Sequence, residues 1–300
     1  RADCALHRRS MSRLFKIFWK RTESRRQSGA HWGRILTHLA GSCAAGTSVK
    51  RSGKSDTMKA YGKTDKGLVR ANNQDTFRVD VPESGMGFLV LCDGMGGARA
   101  GNIASERAAN RFLETIQTAD AADTSADTLA DLVEKAVKLA NTEVFELSQS
   151  SPAYNGMGTT LVGGICVDDR VILANVGDSR AYLIDGDKIA QMSADHSLVA
   201  EMVRSGRLTK AEAKTYPGRN LITRAVGVDS SVEADVYEIK MHEGQTLLLC
   251  SDGLSGPVTD AEIAAAVSQA PTMEQACTQL IELACKAGGN DNITVVLYTK

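Results

Sequence analysis

The sequence predicts an α+β fold, and three observations carry that reading. Short apolar runs recur along residues 58–300 and end at acid–glycine pairs, helical spacing occupies separate stretches, and strict β-α alternation is absent. Phe88-Leu89-Val90-Leu91-Cys92 is stopped by Asp93-Gly94, residues 171–176 by Gly177-Asp178, and Leu247-Leu248-Leu249-Cys250 by Ser251-Asp252-Gly253. Residues 160–167 and 293–298 form further β runs, and Tyr182 to Ile184 followed by Asp185-Gly186 reads as a hairpin. Helices are expected over residues 104–116, 129–147, 260–267 and 273–287. Thr259 or Asp260 caps the third, because a side-chain oxygen satisfies free N–H groups at a helix start, and Gly288-Gly289 ends the fourth.

Charge divides the chain. Residues 1–57 hold 13 Lys and Arg against 3 Asp and Glu, which leaves 22 against 33 for residues 58–300 out of totals of 35 and 36. The basic leader holds both tryptophans, Trp19 and Trp32, and a cationic amphipathic piece, Arg13-Leu14-Phe15-Lys16-Ile17-Phe18-Trp19-Lys20-Arg21. That piece suits an anionic membrane surface or a transit peptide. The preferred expectation is that residues 1–57 are disordered or absent from the mature protein, with translation from Met58. One domain is expected over 58–300, for which 43% apolar residues supply a sizeable core.

An acidic body argues against a nucleic-acid partner, whose phosphates select a surplus of Lys and Arg. No stretch is long and apolar enough for stable membrane insertion. The seven cysteines are scattered and contain no C-x-x-C pair, so neither a disulfide framework nor a zinc knuckle is indicated; the usage suits a reducing cytoplasm. A monomer is expected.

Two buried strands that each end in Asp-Gly deliver Asp93 and Asp252 to one edge of a sheet. A carboxylate there is partly desolvated and needs a compensating cation. A single such pair is most simply a hairpin turn, but two, with further acids, favour a cation site. Asp291, immediately before a β run, and Asp75, closing Arg70-Ala71-Asn72-Asn73-Gln74-Asp75, are those further acids. Oxygen-only ligands favour Mg²⁺ or Mn²⁺ over zinc. Two such ions clamp a phosphoryl group, and Arg70 is the available bidentate partner for phosphate. A calcium-binding module is disfavoured, because these acids are spread along the chain and not packed into one short loop.

Six motifs in order carry a resemblance: Arg70-x-x-Asn73-Gln74-Asp75, Asp93-Gly94-Met95-Gly96-Gly97, Gly158-Thr159-Thr160, Gly177-Asp178-Ser179-Arg180, Ser251-Asp252-Gly253 and Gly289-x-Asp291-Asn292-Ile293-Thr294. Together they resemble the PPM family, the type 2C metal-dependent protein phosphatases, in its compact bacterial form, over about residues 59–299. The resemblance implies a four-layer α-β-β-α sandwich of two antiparallel sheets flanked by helices. It implies two Mn²⁺ or Mg²⁺ ions, with Asp93 bridging both, the Gly94 carbonyl on one, Asp252 and Asp291 completing the protein ligands, and Asp75 reaching the cluster through water. It further implies that Arg70 holds the substrate phosphate and that a hydroxide shared by the ions attacks phosphorus in line. The implied substrates are phosphoserine and phosphothreonine proteins made by a serine/threonine kinase. An inactive phosphoprotein-binding scaffold and a small-molecule phosphatase are the alternatives.

The sequence departs from the family in three places. Met95 and Ala98 stand where relatives carry a histidine, which leaves the leaving-group acid undefined and water as the fallback. No acid precedes Gly158-Thr159-Thr160, so a third ion is expected to bind weakly or not at all. His196, in Asp195-His196-Ser197, reads as a structural histidine, with a catalytic role as the alternative. Residues 198–219 resemble the mobile flap beside the family's cleft, and a solvated helical hairpin is the simpler description; both hold together.

Overall fold

The computed structural model describes residues 59–82, 85–120 and 122–300. The expectations for the leader, its amphipathic piece and Met58 fall outside the described residues.

Two antiparallel sheets organise the chain. One has the order β1 (Lys59–Asp65), β11 (Ile293–Thr299), β10 (Thr246–Cys250), β7 (Arg180–Asp185), β8 (Lys188–Gln191). The other runs β2 (Asp75–Asp80), β3 (Met86–Met95), β5 (Leu161–Val167), β6 (Arg170–Val176), β9 (Asp235–Lys240), and the short β4 (Gly158–Thr159) pairs with the end of β3. The helices α1 (Gly97–Ile116) and α2 (Ala126–Ser150) follow β3 in the chain. Two short helices, α3 (Leu198–Arg204) and α4 (Lys210–Ala213), lie between β8 and β9, while α5 (Asp252–Ser255), α6 (Asp260–Gln269) and α7 (Met273–Lys286) separate β10 from β11.

Period-two alternation makes the layers, because successive strand side chains point to opposite faces. Along β3, Phe88, Val90 and Cys92 pack with Ala104, Ala108 and Phe112 of α1 and Val133 and Val137 of α2. The intervening Leu89 and Leu91 face the other way, against Leu247 and Leu249 of β10 and Val296 and Tyr298 of β11. The alternate residues of those two strands, Leu248, Cys250, Val295 and Leu297, meet Ile263, Leu280 and Ile281 of α6 and α7. Three apolar interfaces therefore separate four layers, α-β-β-α, as the resemblance implied.

Caps mark the helix starts. Thr259, not Asp260, caps α6 in a reciprocal capping box with Glu262, and the Gly288 and Gly289 N–H groups close the end of α7 on the Cys285 and Ala284 carbonyls at 3.0 Å each.

Several expected boundaries move. Strand β3 does not stop at Asp93-Gly94 but runs on to Met95, because Gly94 and Met95 find new partners in Thr159 and Gly158 of β4. Asp252 opens the one-turn helix α5 where a turn was expected. Strands β1, β2, β4 and β9 are additions to the expected set. The polar stretch 198–219 folds as α3 and α4, pinched at its neck by the Ser197–Ile222 bridge and by the Leu198 N–H donating to the Leu221 carbonyl at 2.9 Å. Among the described residues no helix is long and apolar enough to cross a membrane.

Candidate active site

The end of the sandwich where β3 and β10 finish and β2 and β11 begin opens into a cleft of about 510 Å³. Arg70, Asp93, Gly94, Met95, Asp178, Asp252 and Asp291 line it. Antiparallel register explains the convergence within one sheet: Asp75, first in β2, pairs directly with Asp93, near the end of β3. The other sheet supplies Asp252, just after β10, and Asp291, just before its neighbour β11. Of the six residues expected at the site, the structure brings Arg70, Asp93, Gly94, Asp252 and Asp291 to the cleft, and Asp75 sits buried behind it.

Backbone hydrogen bonds fix Asp93 from both sides. The Thr160 hydroxyl accepts from the Asp93 N–H at 2.9 Å, while the Thr159 hydroxyl and the Thr160 N–H donate to the Asp93 carbonyl at 2.8 and 2.9 Å. Gly94 has no room for a side chain: an added Cβ would lie 2.1 Å from the Gly101 carbonyl oxygen and 2.6 Å from that of Gln74. A Cβ on Gly101 would in turn stand 2.8 Å from the Gly94 carbonyl oxygen. Paired glycines are thus what let helix α1 approach this strand end.

Asp75 ties the sheets together. Its Oδ2 accepts from the Ser251 hydroxyl at 2.8 Å and from the Thr294 hydroxyl at 2.7 Å. Asn292 holds the loop that carries Arg70. Its side-chain carbonyl accepts from the Gln74 N–H at 2.8 Å, and its amide group donates to the Lys66 and Asn72 carbonyls at 3.0 Å each. Arg70 is paired at the cleft wall: its Nη2 lies 2.6 Å from Asp291 Oδ2, with half its side chain exposed.

The electrostatics are those of crowded acids. Burial, followed by the charges of Asp75 and Asp252, pushes the Asp93 carboxyl well above its ordinary range. Burial and then Asp291 raise Asp252, with a hydrogen bond to Asp93 opposing them. Asp75 is lifted to about 7 by burial, which outweighs its two hydroxyl donors. Asp178 also rises to about 7, through burial and then the charge of Asp252.

Whether these residues suit a cation follows from their donors. Among the described residues no group of three or more acidic, His or Cys side chains is already drawn into a cage. Yet Asp75 Oδ1 and Asp252 Oδ1 are buried without a hydrogen-bond partner, a costly condition that a cation relieves. Every side-chain donor is a carboxylate oxygen, the chemistry that hard divalent cations select. The set fits Mg²⁺ or Mn²⁺.

Asp178 lines the cleft beside the expected residues. Thr159 and Thr160 grip Asp93. The bracing roles of Ser251, Asn292 and Thr294 escaped sequence reasoning. Their signal was a polar side chain at a buried strand end, which must find a partner.

An α-β-β-α sandwich with acids from both sheets at one end defines a class of hydrolases, and comparison with known proteins identifies the family. A model of protein phosphatase 2C matches residues 68–297. The serine/threonine phosphatase stp of Listeria innocua is 38% identical over 243 residues, covering 81% of this chain and 96% of its own. Among solved structures, the S. agalactiae serine/threonine phosphatase superposes with a TM-score of 0.76 at 37% identity, covering 81% of this chain and 99% of its own. The catalytic domain of the serine/threonine protein phosphatase PstP, in complex with 2 manganese ions, gives 0.71 at 34% identity, with 81% and 97% covered. The chain belongs to the protein phosphatase 2C family.

Proposed function

We propose that this chain hydrolyses phosphoserine and phosphothreonine on proteins in a metal-dependent reaction. The carrying observation is the convergence of Asp93 from one sheet with Asp252 and Asp291 from the other, beside Arg70, on one cleft. Asp93, Asp252, Asp291 and the Gly94 carbonyl hold two Mn²⁺ or Mg²⁺ ions, and Asp75 supports them from behind. When bound, the ions supply Lewis-acid charge for in-line attack of water on phosphorus and neutralise charge on the phosphoryl oxygens.

The other steps belong to the chain's own groups. Arg70 exchanges its partner Asp291 for the substrate phosphate, which a planar guanidinium engages bidentately. Thr159 and Thr160 keep the Asp93 backbone from shifting as charge develops. Met95 lines the cleft and carries no transferable proton, so the departing alkoxide takes its proton from water. The substrates are products of a serine/threonine kinase, and the enzyme works as a cytoplasmic monomer.

The test is an assay with p-nitrophenyl phosphate and phosphothreonine peptides, with and without Mn²⁺, for wild type and Asp252→Asn. Turnover is expected with Mn²⁺ alone. Equal turnover in EDTA would reject the metal-dependent reading, and a fully active Asp252→Asn would reject the ligand assignment.

A further inference from the structure

His196 is buried, 3% exposed, at the joint between three parts of the molecule. Its Nδ1 accepts from the Gly177 N–H at 3.1 Å, and its own N–H donates to the Gly177 carbonyl at 2.9 Å. On the other side its Nε2 lies 3.2 Å from Asp235 Oδ2, on strand β9. Its carbonyl accepts from the Thr223 N–H at 2.8 Å, just beyond the pinched neck of the 198–222 excursion. Arg224 completes the joint, 3.0 Å from Asp235 Oδ1 and 3.4 Å from His196 Nε2.

These partners determine which ring nitrogen carries the proton. A backbone N–H only donates, so Nδ1 must be the unprotonated acceptor, and the neutral ring carries its proton on Nε2. Nε2–H then donates to Asp235, which fits the carboxylate beside it. The alternative tautomer sets two donors against each other 3.1 Å apart at Gly177 and leaves Asp235 with one donor fewer, whereas Nε2–H meets the Arg224 donor only at 3.4 Å.

Gly177 links this joint to the cleft. Its φ of 104° is a conformation that favours glycine, and a Cβ there would lie 2.6 Å from Thr160 Cγ2. The next residue, Asp178, lines the cleft, and Thr160 holds the Asp93 N–H. Contact therefore runs from the neck of the excursion through one imidazole to two of the cleft acids, Asp178 and Asp93.

We infer that His196 is a positioning residue with two separable duties: its Nδ1 holds Gly177, and through it Asp178 and Thr160, while its Nε2–H moors the 198–222 segment to Asp235 beside the cleft. The inference rests on the phosphatase reading for its kinetic test, but not for its spectroscopic one.

Two amides separate the duties. In His196→Asn the side-chain oxygen takes the place of Nδ1, and in His196→Gln the amide nitrogen takes the place of Nε2. With a phosphothreonine peptide and Mn²⁺, His196→Asn is expected to keep kcat within about threefold and raise KM, whereas His196→Gln lowers kcat by about tenfold or more with a smaller change in KM. Equal losses in both, as a packing role alone would give, or the reverse pattern, would overturn the inference. Nitrogen-15 NMR of the wild-type ring supplies the second readout. A protonated Nε2 and bare Nδ1 are expected; the opposite tautomer overturns the inference, and this measurement decides if neither variant folds. An inactive wild type would sink the phosphatase reading and leave the NMR test standing.

Discussion

Asp75 on β2 accepts a 2.7 Å hydrogen bond from Thr294 on β11, so a carboxylate of one sheet is held by a hydroxyl of the other. Thr294→Val removes that donor at nearly constant volume. It should cost about 1–3 kcal/mol, the usual penalty for stripping a buried polar group of a partner. Urea unfolding checks this, and an unchanged midpoint would show that the bond between the sheets carries no weight.

Proton linkage at Asp75 predicts how cations act on stability. Its carboxyl titrates at about 7 in the folded chain against 3.8 ordinarily, so between those values the folded state binds more protons than the unfolded one. Stability from this group therefore falls as pH rises across that window and is fully lost above it. Asp93 and Asp252 shift in the same direction. Cations replace those protons, so Mn²⁺ should raise Tm more at about pH 7.5 than at about pH 5. Calorimetry showing equal shifts at both would count against the cation site.

Asp252→Asn keeps the size of the side chain and removes its charge from the acid cluster. Turnover with Mn²⁺ should fall at least about 10²-fold, because transition-state charge loses its electrostatic support. The fold should survive, since one Asp252 oxygen already lacks a partner. Circular dichroism beside the kinetics checks both halves of the statement.

Arg70→Lys retains the charge but not the planar fork. We expect KM for phosphopeptides to rise about tenfold with a smaller change in kcat, as for loss of one good hydrogen bond to phosphate. An unchanged KM would remove Arg70 from phosphate binding and leave it as the partner of Asp291.

Gly94→Ala and Gly156→Ala form a contrast. The first sets a methyl 2.1 Å from one backbone oxygen and 2.6 Å from another, whereas the second meets nothing within 4 Å and is strained only by its φ of +74°. Overpacking against backbone should cost about 3 kcal/mol or more. Left-handed strain alone should cost about 1–2 kcal/mol. Thermal melts that rank them the other way would contradict the close approach of α1.

The central strands were legible because burial on both faces writes an unbroken apolar run, as in Phe88 to Cys92 and Leu247 to Cys250. Apart from the two-residue β4, the strands that sequence reasoning missed are all sheet edges. β1, β2 and β9 are half exposed and carry residues such as Lys59, Lys63, Arg78 and Glu238, so no apolar run marks them. At the cleft, Asp93 and Asp252 announced themselves by their place at strand ends. Their bracing did not, because Ser251 and Thr294 meet Asp75 across 176 and 219 residues of chain, a pairing that only the packed sheets create. The Arg70 pairing with Asp291, 221 residues away, was hidden for the same reason.

Strand β11 sits between β1 and β10, so it joins two strands that lie far apart in the sequence. Until residue 299 has emerged, Lys59–Asp65 and Thr246–Cys250 have no strand between them, and Asp291 and Thr294 have no fixed position. A nascent chain that has not yet released Ile293–Thr299 therefore lacks both the strand that joins these two and the hydroxyl that holds Asp75. A product clipped before Ile293 loses both at once.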